Sequence, residues 1–87
     1  MKRVFDVYFN KVFSEYFTDL RKENRYTRTE VADRLRLNLN TFTCYEKGSR
    51  DVPISVMKDM CKFYGVDFYD TFKYICEESS RREHASK

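Results

Sequence analysis

The chain has 87 residues, a formal net charge of +3 and 36% charged residues, with fifteen Phe and Tyr, no Trp, two glycines and one proline. This length supports one small domain with a limited core, so each ring counts, and the scarcity of Gly, Pro and β-branched runs argues for an all-α fold. No apolar stretch approaches the roughly 20 residues of a membrane span and the start lacks a small-residue cleavage site, so a soluble, cytoplasmic protein is expected.

In chain order, a first helix is expected over 7–24, where Phe9, Val12, Phe13, Tyr16, Phe17 and Leu20 recur at helical spacing and Asn24, Arg25 and Tyr26 form the exit. Thr27 and Glu30 have the spacing of a capping box, which starts a second helix at Arg28 that runs to Leu35. Val31, Ala32 and Leu35 form its inward stripe, while Arg28, Thr29, Asp33 and Arg34 face water. The small Ala32 admits a second helix at close range. Residues 36–38 are too few for anything but a turn, so the two helices must cross. Asn38 caps a third helix over 39–47, with Phe42 and Tyr45 inward, and Gly48 ends it by taking the left-handed conformation. After a loop over 48–52, Pro53 opens a fourth helix at a position where its missing donor costs nothing. Met57, Met60, Cys61 and Tyr64 form its stripe, and Gly65 stops it. Asp67 caps a fifth helix with Phe68, Phe72 and Ile75 inward. From Glu77 the chain is charged and apolar-poor, and it is expected to fray.

Four segments, DLRKENRYT, TEVADRL, YEKGSR and VPISVMKDMCKFYGVDFYD, stand in an order and spacing that resemble the phage-repressor-like (Cro/CI, or XRE) helix-turn-helix family over residues 16–75. The resemblance implies a compact five-helix lambda-repressor-like domain over 13–78, after an aromatic N-terminal extension, 1–12, and before a polar flexible tail, 79–87. It also implies a dimeric, sequence-specific transcriptional regulator, a repressor of phage or mobile-element type, that inserts helix 39–47 into the major groove of double-stranded DNA.

In that pose Asn38, Leu39, Asn40, Thr43 and Cys44 face base edges. Asn offers a paired donor and acceptor to adenine, and Leu39 reaches a thymine methyl. Thr27, Arg28, Lys47, Ser49 and Arg50 fall beside phosphates, together with the backbone amides of both helix N-termini. Arg21 and Glu46 correspond to an ion pair that ties the first helix to the reading helix. Two positions depart from the family. Arg28 stands where Gln is common and bonds a phosphate, and Arg36 stands where Gly is common and a positive φ is needed, at a cost of about 1 kcal/mol.

The extension reads as a continuation of the first helix, with Val4, Phe5, Tyr8, Phe9 and Val12 covering more than one face, or as an added strand over 3–9. Homodimerisation is expected through it or through the fifth helix.

Charge adds modest support for DNA: residues 1–53 hold eleven Lys and Arg against eight acids, and 54–87 hold six of each. Cys44, Cys61 and Cys76 form no CxxC pair, and His84 is the lone His, so no metal and no cofactor is expected. Cys61 and Cys76 suit the core. Cys44 suits the outer face of the third helix, where DNA contact and redox sensing are both open. With no Gly-rich phosphate loop and no nucleophile beside a base, the chain does not read as an enzyme. The alternative to a DNA binder is a helix-turn-helix module that binds a protein partner through the extension, or through Leu39 and Cys44.

Overall fold

The structure is a computed structural model that describes residues 6–86. Val4 and Phe5 therefore lie outside the described residues, while Val7, Tyr8 and Phe9, which the strand alternative would include, are helical. Five helices follow one another: α1 Val7–Glu23, α2 Arg28–Arg34, α3 Leu39–Lys47, α4 Ile54–Tyr64 and α5 Phe68–Ala85. The described residues contain no strand, so the fold is all-α. No helix among them is long and apolar enough to cross a membrane.

Local side-chain chemistry starts most of these helices. Asp6 accepts from the Phe9 amide, Thr27 and Glu30 close a full capping box, Asn38 accepts from the amides of Asn40 and Thr41, and Asp67 accepts from Asp70. Pro53 sits one residue earlier than its expected place inside α4. It is the N-cap itself, in extended backbone without a side-chain bond.

Four of the exits share one device. The amides of Tyr26, Leu37, Ser49 and Val66 each reach back five residues, to the carbonyls of Arg21, Ala32, Cys44 and Cys61. Each closure puts one residue in the left-handed region: Arg25 at φ 60°, Arg36 at 57°, Gly48 at 75° and Gly65 at 72°. The turn that the family fills with Gly is thus made here by Arg36 in the same conformation.

The two glycines differ in what surrounds them. A Cβ at Gly48 would lie 2.6 Å from the Asn10 carbonyl oxygen in α1, whereas one at Gly65 would meet nothing within 4 Å. Gly65→Ala should therefore cost only the left-handed penalty, about 1 kcal/mol. Gly48→Ala should cost clearly more, because the backbone of α1 must move. Equal denaturation midpoints for the two variants would contradict this reading.

α1 is the spine, packing on α5 and α3, while α2 packs on α3 and α4 on α5. Val12, Phe13, Phe17, Val31, Ala32, Phe42, Met57, Met60, Cys61 and Ile75 form the buried core. Phe17 is its centre, with its ring 4.6 Å from Phe13, 5.0 Å from Tyr16 and 6.2 Å from Tyr64. Phe68 and Phe72 are only partly buried. Thr71 is the buried residue of that turn, its hydroxyl 3.0 Å from the Tyr16 hydroxyl.

The end of the chain corrects the expectation of a frayed tail over 79–87, because α5 continues through Ala85. Ionic ties take over where apolar residues stop. Glu78 accepts from Arg81 and Arg82, Arg82 also donates to Glu15 on α1 at 2.8 and 3.1 Å, and the Ser86 hydroxyl lies 2.6 Å from that of Tyr8.

The hydrogen bonds from Arg81 and Arg82 push the Glu78 carboxyl down to about 2, and the bond from Arg82 lowers Glu15. A depressed carboxyl stabilises the fold above its unfolded value of 4.5 and ceases to do so as pH falls toward 2. Amide exchange in the last turns of α5 should therefore accelerate over that window while the Phe17 core stays protected. Uniform loss of protection along the chain would overturn this.

Candidate nucleic-acid interface

The α2–turn–α3 unit is held rigid by contacts on its inner side. Val31, Ala32 and Phe42 are fully buried between the two helices and α1, and Leu35 and Leu37 pack against them. Ala32 has no side chain beyond Cβ, so α3 can approach it closely. This leaves the opposite side of α3 to the solvent: Asn38, Leu39, Asn40 and Lys47 are exposed, Thr43 and Cys44 half-buried, and Leu39 is 43% accessible.

Behind this face lies a buried ionic triad. Glu46, at 0% exposure, accepts from Arg21 Nε at 3.0 and 2.9 Å and from Arg28 Nε at 3.0 Å. Arg21 also donates to the Tyr26 carbonyl at 3.0 Å. The carboxylate of α3 thus clamps α1 and α2 together and brings the start of α2 beside the end of α3, where Lys47 projects. Burial, and then the Glu46 charge, push the Tyr64 phenol well above its usual range; this hydroxyl is buried without a hydrogen-bond partner among the described residues.

Several expected contact groups are already committed. The Thr27 hydroxyl accepts from the Glu30 amide, and the Glu30 carboxylate, whose pKa that bonding lowers, takes the Thr27 amide. Asn38 Oδ1 accepts from two amides at 2.9 and 3.3 Å, so it cannot also accept from adenine, and the paired contact passes to Asn40. The same caps occupy part of the helix N-terminal amides that the sequence offers to phosphate, those of Thr27 and Glu30 on α2 and of Asn40 and Thr41 on α3. Ser49 donates its hydroxyl proton to the Cys44 carbonyl at 3.2 Å, leaving only lone pairs toward an anion. Lys47 and Arg50 are exposed and form no ion pair among the described residues. All three thiols are free: Cys61 is buried and pushed up by burial, whereas Cys44 and Cys76 are half-buried.

A family profile described as a helix-turn-helix domain matches residues 12–69. The chain belongs to this helix-turn-helix family. It is phage-repressor-like: the cryptic phage CTXphi transcriptional repressor RstR of Vibrio cholerae is 36% identical over 55 residues, covering 63% of this chain and 50% of that protein. The chain thus spans about half the length of the curated relative it matches. No solved structure matches it.

Two parts of this helix-turn-helix site escape a sequence reading. One is the bond from Arg28 to Glu46, which joins positions 18 apart with no shared motif. The other is Asn10, 4% exposed, whose amide donates to Asp51 Oδ1 at 2.8 Å and fastens the loop after α3 to α1. Asn10 did carry a signal. It lies one turn before Phe13 and two before Phe17, on the buried stripe, where a polar group needs a dedicated partner.

Proposed function

We propose that this chain is a sequence-specific DNA-binding transcriptional regulator, a cytoplasmic, dimeric repressor of phage or mobile-element type. In this reading α3 enters the major groove and Asn40, Leu39 and Thr43 read base edges, with Asn38 and Cys44 at the margins. Arg28, Lys47 and Arg50 hold phosphates, and the Thr27 and Ser49 hydroxyls add less than their positions suggest. The supporting observation is the clamped α2–α3 pair, which turns one face of α3 outward between Arg28 and Lys47. The likeness to a phage transcriptional repressor supports the same reading. In this reading the dimer forms through α5, where Tyr69 and Tyr74 are 79% and 50% exposed, or through residues 1–12, where Val7 is 59% exposed.

Two substitutions separate the roles. Arg28→Ala should weaken binding to every duplex and lower the slope of log affinity against log salt by about one. Asn40→Ala should relax preference at one base pair and cost roughly 1–3 kcal/mol on the best site only. If Arg28→Ala altered only sequence preference, its assignment to phosphate would be wrong. Exposed Leu39 favours a second reading, a module that binds a protein. A titration with random duplex at two salt concentrations decides between them, since a protein-binding module would give no salt-sensitive binding.

A further inference from the structure

We infer that Glu46 is a positioning residue for DNA binding, aiming the Arg28 guanidinium at a backbone phosphate. This inference rests on the DNA-binding reading above.

The triad holds two cations and one anion, so it carries an excess positive charge around a carboxylate with no solvent exposure. The two arginines are used differently. Arg21, 12% exposed, spends Nε on Glu46 and one terminal nitrogen on the Tyr26 carbonyl, so it faces inward. Arg28, 34% exposed, spends only Nε, and its two terminal nitrogens have no hydrogen-bond partner among the described residues.

A guanidinium is a rigid plane, so fixing Nε also fixes the direction of the outer edge formed by those nitrogens. That edge is the fork that fits two oxygens of a phosphodiester. Arginine ordinarily loses much rotamer freedom when it binds an anion. Here the buried carboxylate has already removed that freedom, so binding loses less of it. In this chain the cation and the carboxylate that steers it belong together, and the unbalanced charge is completed by a phosphate.

The test is a double-mutant cycle in which duplex affinity is measured at a temperature where each variant is folded by circular dichroism. Glu46→Gln should weaken binding about fivefold in the native chain, the equivalent of one lost hydrogen bond, and under twofold in an Arg28→Ala chain. Equal losses in both backgrounds would mean that Glu46 serves folding alone, and would overturn the inference.

Arg28→Lys provides a second readout should Glu46→Gln not fold. It keeps the charge but loses the planar fork, so affinity should fall about fivefold with the salt slope unchanged. Affinity equal to the native chain would show that Arg28 acts as a bare charge and would overturn the positioning role. A native chain without salt-sensitive duplex binding is a different outcome, which removes the DNA-binding reading and this inference with it.

Discussion

Glu46→Ala is expected to be among the most damaging single substitutions in the chain, costing about 3–5 kcal/mol, because it removes the one counter-charge that Arg21 and Arg28 have among the described residues. Arg21 suffers most. It is 12% exposed and its remaining bond is to the Tyr26 carbonyl, so without Glu46 a nearly buried cation has no anion. Arg28 suffers less, since at 34% exposure it can turn to water. For a domain of this size such a loss is a large part of the total stability, and at about 4–8 °C per kcal/mol it should bring the thermal midpoint down by tens of degrees. Replacing Arg21 and Glu46 together by Leu should recover most of the loss, because no buried charge is then stranded. Urea midpoints of the single and double variants check both statements. A Glu46→Ala midpoint within about 0.5 kcal/mol of native would place the carboxylate among ordinary surface charges.

Phe17→Ala should cost a comparable amount, about 3–5 kcal/mol, by opening a cavity between α1 and α4. The ring has no exposure and touches the rings of Phe13, Tyr16 and Tyr64, so its removal leaves a buried void rather than an opening to water. The loss should also reach the interface. Tyr64 lies near enough to Glu46 and Arg21 to feel their charges, so relaxing its ring disturbs the clamp behind α3. Thermal unfolding gives the stability term, and duplex binding below the midpoint gives the second. A destabilised chain with native affinity and salt slope would show that the core and the clamp are independent.

What could be read in the sequence is what local chemistry determines. The Thr27–Glu30 box, the caps at Asn38 and Asp67, and the glycine exits at 48 and 65 each depend on residues within one turn of each other, so spacing alone identifies them. The inward stripes of α2 and α4 follow from the same periodicity, as does Phe42 on α3, whereas Tyr45, expected beside it, is only half-buried and outside the core, and Glu46 is the buried neighbour. The continuation of α5 was hidden because its support comes from far away: Arg82 reaches Glu15 across 67 positions. The site residues divide in the same way. Lys47 and Leu39 are accessible as their spacing suggests, whereas Arg28, expected to face water, is half-buried against Glu46, and whether an atom is still available depends on its neighbours. Asn38 cannot cap α3 and read adenine with the same oxygen, and the Ser49 proton is already placed.

The contact between Gly48 and the Asn10 carbonyl, with the Asn10–Asp51 bond beside it, joins the loop after α3 to a residue that precedes the family-matched segment 12–69. A chimera that transplanted only that segment would carry α3 without the wall its exit closes against. Exchanging DNA specificity between relatives would therefore have to move the first turn of α1 together with α3, and sequence drift at Asn10 and Asp51 would have to be concerted. The first turn of α1 acts as the mould in which the loop after α3 is cast.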